Sequence, residues 1–159
     1  MKKLITICLI LATTFEVNAQ VKEQLIGNWD LNKVSFKNTE TTQDGGNEEY
    51  FSIFKAALLN AVKEGYKLTK EDKELLDLEA EALSGIYFAS AIDFDKTGGF
   101  KNEYMQGSIS GKYIIESSIG LKMNWKDGDE IVLEIIKLNS TDLILKDKNL
   151  NVVFYYKRS

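Results

Sequence analysis

The chain has no histidine and no proline, and it holds one cysteine, Cys8, and one arginine, Arg158, among 159 residues. The missing histidine removes Ser-His-Asp and Cys-His catalysis at once. It also removes the usual zinc and copper sites, which draw on His or Cys ligands. Carboxylates, lysine and tyrosine are what remains for chemistry. Without proline, nothing forces a kink or a stop along the chain. An excess of basic charge is missing too: 20 Lys and Arg stand against 24 Asp and Glu, a formal charge of −4. Phosphate backbones require the opposite sign, so nucleic acid is not an expected partner.

A single long apolar run is present, at the start. Lys2 and Lys3 precede apolar residues from Leu4 to about Phe15, and Val17-Asn18-Ala19 puts small residues before Gln20. Residues 1–19 read as a secretory signal peptide, too short for a spanning helix and wrongly flanked for one. Cys8 follows Ile7, where a lipoprotein signal needs a small residue, so no lipid anchor is expected. The expected mature chain, residues 20–159, is one domain without cysteine, exported to the periplasm or the medium. No later run approaches the roughly 20 apolar residues of a membrane span.

Two periodicities organise the rest. Trp29 and Leu31 alternate with polar neighbours before the apolar phase shifts to Val34 and Phe36, which predicts a first strand with a bulge. Lys37–Asn47 is polar, ends near Gly45-Gly46 and reads as a loop. Phe51, Phe54, Leu58 and Val62 then fall at helical spacing, with Gly65 placed to end the helix. Thr69 and the acidic residues after it predict an N-cap and a second helix to about Ser84, whose apolar stripe is Leu75, Leu78 and Ala82, flanked by Leu76 and Leu83. This helical hairpin, about residues 48–84, is expected to be removable, leaving a folded barrel behind.

From Gly85 onward the period is two. Ile86, Phe88, Ser90, Ile92 and Phe94 share a face, and strands at Phe100–Gln106, Lys112–Glu116, Leu121–Trp125, Ile131–Ile135, Leu143–Leu145 and Val152–Tyr156 follow across short turns, among them Asp127-Gly128. The count is eight strands, seven of them in an antiparallel meander. Each has one apolar face, with Val132, Ile136 and Val153 breaking the polar side. Closing such a sheet into a barrel buries that face and removes the edges.

Three stretches carry a resemblance. They are Gly27-Asn28-Trp29 on the first strand, Gly111-Lys112-Tyr113-Ile114-Ile115-Glu116 with the Leu121–Trp125 strand, and the ending Phe154-Tyr155-Tyr156-Lys157-Arg158. With them the chain resembles the lipocalin and fatty-acid-binding protein superfamily, and more specifically the lipocalin-like proteins that Bacteroidetes export. The resemblance implies an eight-stranded up-and-down barrel with an inserted helical hairpin between the first and second strands. It also implies that Trp29 packs at the closed end, with Arg158 stacked across it and Gly27 alongside as the barrel floor. Cation–π attraction gives that pair a physical reason. The hairpin resembles the two-helix lid of fatty-acid-binding proteins. It is longer, the strands number eight rather than ten, and the paired Arg-x-Tyr that grips a fatty-acid carboxylate is missing.

The function so implied is non-catalytic binding of a small hydrophobic or amphipathic ligand. The candidate lining is Phe88, Ile92, Phe94, Tyr113, Leu121, Met123, Trp125, Leu133, Phe154 and Tyr156. The same inward faces would serve a packed core equally well. On that second reading the barrel is solid, and the hairpin and loops recognise an envelope protein or a glycan. No catalytic residue, metal or cofactor is expected. Asp93-Phe94-Asp95 and Asp127-Gly128-Asp129-Glu130 could tempt calcium, but neither has the twelve-residue ligand spacing, and Asp and Gly suit hairpin turns for backbone reasons alone.

Overall fold

Alternation of apolar and polar residues produces strands that curl until the last meets the first. The structure, a computed structural model, describes residues 18–126 and 128–159. Most of the expected signal peptide, including Cys8, and Asp127 of the expected turn lie outside the described residues. The description opens in helix, residues 18–25. Strands β1 (Gly27–Phe36) and β2 (Thr39–Thr42) follow, then a short 3-10 turn at Gln43–Gly45 and two helices, α1 (Gly46–Ala61) and α2 (Lys70–Tyr87). The meander is β3 (Ala91–Phe94), β4 (Gly99–Tyr104), β5 (Gly107–Ser117), β6 (Gly120–Trp125), β7 (Glu130–Leu138), β8 (Asp142–Asp147) and β9 (Val153–Arg158).

Every neighbouring pair is antiparallel, and β9 returns to β1, so β1 and β3–β9 form a closed eight-stranded barrel. This is the expected fold class. Strand β1 pairs with β9 along nearly its whole length, and the register slips between Leu31 and Lys33. That bulge lets Trp29 and Leu31, then Val34 and Phe36, all point inward and be buried. On its other edge β1 is shared: its start pairs with β3 and its end with β2.

Strand β2 corrects the expected loop at Lys37–Asn47. Thr41 pairs with Val34, is buried, and donates from Oγ1 to the Glu49 carboxylate at 2.6 Å. A polar segment can still pair on one edge when its side chains find partners. The hydropathy pattern carries no trace of that pairing.

Helix α2 starts as its sequence predicts. Thr69 and Asp72 form a reciprocal capping box, with Asp72 N–H donating to Thr69 Oγ1 at 3.1 Å and Thr69 N–H donating to Asp72 at 2.9 Å. Its end and its buried face differ from expectation. The helix runs through Gly85 to Tyr87, and Phe88 caps it, so Ile86 and Phe88 are not on a strand. The buried positions are Ala80, Ser84 and Tyr87, with Leu76 and Leu83 packed beside them. Leu75 and Leu78, the expected inner stripe, are 64% and 62% exposed. Leucines surround this helix, and which of them face inward is set by where α1 and the barrel lie.

The hairpin is part of the core, which corrects the expectation that it could be cut away. Tyr50, Phe54 and Ala57 of α1 are fully buried. Phe54 stacks on Tyr87 at 5.4 Å between ring centroids, and Tyr87 stacks on Phe154 of the barrel at 4.5 Å. Deleting residues 48–84 would strip Phe54 from both Tyr87 and Phe154 and open the barrel end to water. Phe54→Ala should therefore destabilise the whole domain by about 3–5 kcal/mol, measured by urea denaturation, as large aromatic core deletions do. A change under 1 kcal/mol, roughly that of a surface site, would show the hairpin to be an appendage.

Candidate functional site

The two barrel ends are built differently. At one end the chain closes on itself through Gly27, Trp29 and Arg158. Trp29 is fully buried, and its indole N–H donates to the Leu25 carbonyl at 2.8 Å. The Arg158 guanidinium lies over the indole, 4.1 Å from the ring centroid. Its two terminal nitrogens donate to the carbonyls of Ile26 at 2.9 Å and Gln24 at 2.6 Å. These carbonyls belong to the end of the 18–25 helix and its exit, where backbone acceptors lack helical partners and a cation is favoured. Gly27 is required twice over: its φ is +125°, and a Cβ would sit 2.6 Å from the Arg158 Nη1. The floor is thus a plug of helix end, indole and guanidinium with no room for a ligand.

Above the floor the expected lining residues are packed against each other. Ile92, Phe94, Tyr113, Leu121, Met123, Leu133, Phe154 and Tyr156 are each no more than 5% exposed. Phe94 and Tyr113 meet edge to face at 5.1 Å, and the Tyr113 hydroxyl donates to the Asp95 carbonyl at 2.9 Å. Gly111 allows β5 and β6 to close tightly, because a Cβ there would meet the Asn124 carbonyl oxygen at 1.9 Å. Nearer the helical end a cavity of about 10 Å³ remains, room for about one water-sized centre. Ile92, Met123, Trp125, Leu133, Phe154 and Tyr156 line it. Phe94, Tyr113 and Leu121 lie apart from it. Phe88 is also apart, placed at the α2 cap, where its ring meets Tyr50 edge to face at 5.5 Å.

Four residues around the cavity fall outside the expected lining: Ile131 and Leu145, which alternation does place on apolar faces, and two that it missed, Tyr87 and Asn102. Tyr87 enters from α2, continuing the spacing of Ala80 and Ser84, a signal hidden by ending the helix at about Ser84 and reading period two from Gly85. Asn102 lies inward on β4, in phase with Phe100. It is 3% exposed, and its Oδ1 has no hydrogen-bond partner among the described residues.

At the helical end, the space between α2 and the β6–β7 and β8–β9 turns forms an open groove of about 470 Å³. Leu83, Ile86, Ile109 and Leu150 give it half-buried apolar walls, and Glu79, Asp129 and Glu130 put exposed carboxylates around it. Tyr87, Trp125 and Ile131 line both the groove and the inner cavity, so they are the partition between them. Trp125 is held edge to face by Phe100 at 5.5 Å.

The titratable groups here are held in fixed states. Burial pushes the Tyr50 phenol up to about 12. Burial raises Tyr87 further, with the Asp147 charge adding to it, and raises Tyr156 as well. All three are therefore neutral at physiological pH. Asp147 itself is committed to the β8–β9 turn, accepting from the N–H groups of Asn149 at 2.6 Å and Leu150 at 2.9 Å. Asp95 is used the same way, accepting from the Thr97 hydroxyl at 2.7 Å and the Gly99 N–H at 2.9 Å, which hold its carboxyl below the usual range. No group of three or more acidic, His or Cys side chains able to hold a metal occurs among the described residues. No described helix is long and apolar enough to cross a membrane.

Two measurements test this picture. Arg158→Lys keeps the charge but loses the planar fork over Trp29, and should cost about 1–3 kcal/mol of stability by thermal unfolding; an unchanged melting point would leave the floor to Trp29 alone. Tyr50 carries a buried hydroxyl with no partner among the described residues. Below pH 10 the phenol is neutral in both folded and unfolded chains; between about 10 and 12 only the unfolded chain ionises, so stability falls as pH rises through that window. Tyr50→Phe should be neutral or add up to about 1 kcal/mol at pH 7 and should lessen the alkaline loss. A destabilised Tyr50→Phe would reveal a hydrogen bond to that hydroxyl.

Comparison with solved structures locates this architecture. The chain superposes on a lipocalin-like protein from Bacteroides uniformis with a TM-score of 0.51 at 9% sequence identity, covering 86% of this chain and 99% of that one. A DUF4847 family protein from Bacteroides vulgatus aligns over 85% of this chain and 94% of its own, at 10% identity and a TM-score of 0.45. The first likeness is one of fold, and the barrel is lipocalin-like. No protein-family model matches the chain, and no curated protein sequence does.

Proposed function

We propose that this chain is an exported, non-catalytic binding protein, periplasmic or secreted, for a small hydrophobic or amphipathic ligand taken at the helix-covered end of the barrel. The observation that carries the reading is the groove of about 470 Å³ that meets the inner cavity across Tyr87, Trp125 and Ile131. Its size falls within the range of small-molecule sites, and its walls are apolar with a few polar groups at the edge. The barrel interior, by contrast, is full: a ligand tail reaches it only by displacing part of that partition, of which Tyr87 moves with the end of α2. A lipocalin-like barrel with an aromatic side chain from a helix between groove and core suits gated uptake better than permanent storage.

The charges narrow the ligand. The one arginine is used at the floor, at the opposite end from the groove. Lys122 pairs with Glu130 at 2.6 Å. The carboxylates of Glu79 and Asp129 stand at the rim without an ion pair among the described residues. A neutral or cationic head group suits that rim, and a fatty-acid carboxylate does not.

Tryptophan fluorescence tests this directly, because Trp125 lines the groove while Trp29 is sealed at the floor. Dodecyltrimethylammonium below its micelle concentration should give a saturable change, at least about tenfold tighter than laurate, and Leu83→Asp should remove it. No saturable response to either amphiphile would overturn the reading. Native mass spectrometry of the protein from its own envelope fraction checks export in the same sample, through a mass matching residues 20–159.

A further inference from the structure

Helix α2 presents a second apolar face, on the side away from the barrel. Leu75, Leu78, Ala82 and Gly85 follow one line at helical spacing, opposite the buried Ala80 and Tyr87. Leu75 and Leu78 are 64% and 62% exposed. Gly85 is the more telling residue. Glycine is a poor helix former and needs a reason to stand inside one. Nothing among the described residues supplies that reason, because a Cβ at Gly85 would meet none of their atoms within 4 Å. Ala82 and Gly85 leave the helix backbone open to close approach. Beside them lies a groove of about 410 Å³, walled on its far side by Tyr104 and Gln106.

Carboxylates run along both sides of this line. Glu74 and Glu81 lie on one side and Glu79 on the other, all exposed. Glu74 has a loose, exposed contact to Lys70 at 3.6 Å, and Glu79 and Glu81 have no ion pair among the described residues. An apolar seam flanked on both sides by negative charge fits one half of a helix pair whose partner carries the opposite charge. A second copy of this chain would set glutamate against glutamate across the seam. We propose that the outer face of α2 docks a basic amphipathic helix of another protein, its leucine-sized side chains along Leu75, Leu78, Ala82 and Gly85 and its lysines or arginines facing Glu74, Glu79 and Glu81. This surface shares Glu79 with the rim of the ligand groove, but its apolar line of Leu75, Leu78, Ala82 and Gly85 lies outside that groove and stands whether or not the groove binds an amphiphile.

The test uses the full chain and two labelled synthetic helices of three heptads, leucine at the seam positions, one with lysine and one with glutamate beside them. Fluorescence anisotropy should show saturable one-to-one binding of the lysine helix, weakening as salt rises, and none of the glutamate helix. Leu75→Gln with Leu78→Gln should reduce the affinity at least tenfold without lowering the melting temperature. Gly85→Gln separates recognition from folding, because it should raise the melting temperature and still weaken binding. Glu79→Lys with Glu81→Lys should transfer preference to the glutamate helix. Three results would each overturn the proposal: no binding of either helix, equal binding by the wild type and the leucine variant, or a dimer in sedimentation that the leucine variant dissolves.

Discussion

The guanidinium of Arg158 on the indole of Trp29 is the contact on which the rest of the barrel depends. It joins the last strand to the first at the point where the sheet closes. It also fixes the end of the leading helix, since the same guanidinium satisfies the Gln24 and Ile26 carbonyls. One side chain therefore ties the last strand to the leading helix and the first strand, both far from it in sequence. A barrel has no free edge only if its ends meet in register. Here the register is held by a planar cation that cannot slide without losing both its hydrogen bonds and its aromatic face.

The opposite end is closed by a different kind of chemistry. Phe54, Tyr87 and Phe154 stack from helix to barrel, and the phenol of Tyr87 stays neutral beside the buried Asp147. Such a closure is large in buried area but has no ionic lock, so it is the end at which a modest displacement opens the interior. The groove, the aromatic partition and the two-faced helix α2 all belong to this end, and the charged floor leaves the other end with nothing to move.

Helix α2 shows why pattern and packing can disagree. Its leucines and alanines cover most of its circumference, so periodicity alone supports more than one inner face. The buried face became Leu76, Ala80, Leu83 and Tyr87 because α1 and the barrel meet it there. Ending the helix at about Ser84 and reading period two from Gly85 hid its last turn and placed Phe88 on a strand. The same error hid Tyr87, the residue that fills the barrel end. Strand β2 was illegible for a simpler reason: its partners are hydrogen bonds and polar side chains, which leave no hydrophobic period.

Much of the molecule was nonetheless decided locally. Alternating side chains from Ile92 to Tyr156 dictate antiparallel strands with one apolar face, and the shift between Leu31 and Val34 dictates the bulge in β1. The Thr69 cap, the placement of a lone arginine in phase with Tyr156, and the absence of histidine need nothing beyond the sequence, because each rests on residue type and spacing. Whether the inward faces would enclose a cavity was not determined in that way. An eight-stranded barrel is wide enough for side chains or for a small ligand, and the choice depends on what enters from outside the sheet. Tyr87, Phe54 and Tyr50 fill that space from two helices, so only the tertiary structure decided that the core is packed and that the open volume lies beside the helices.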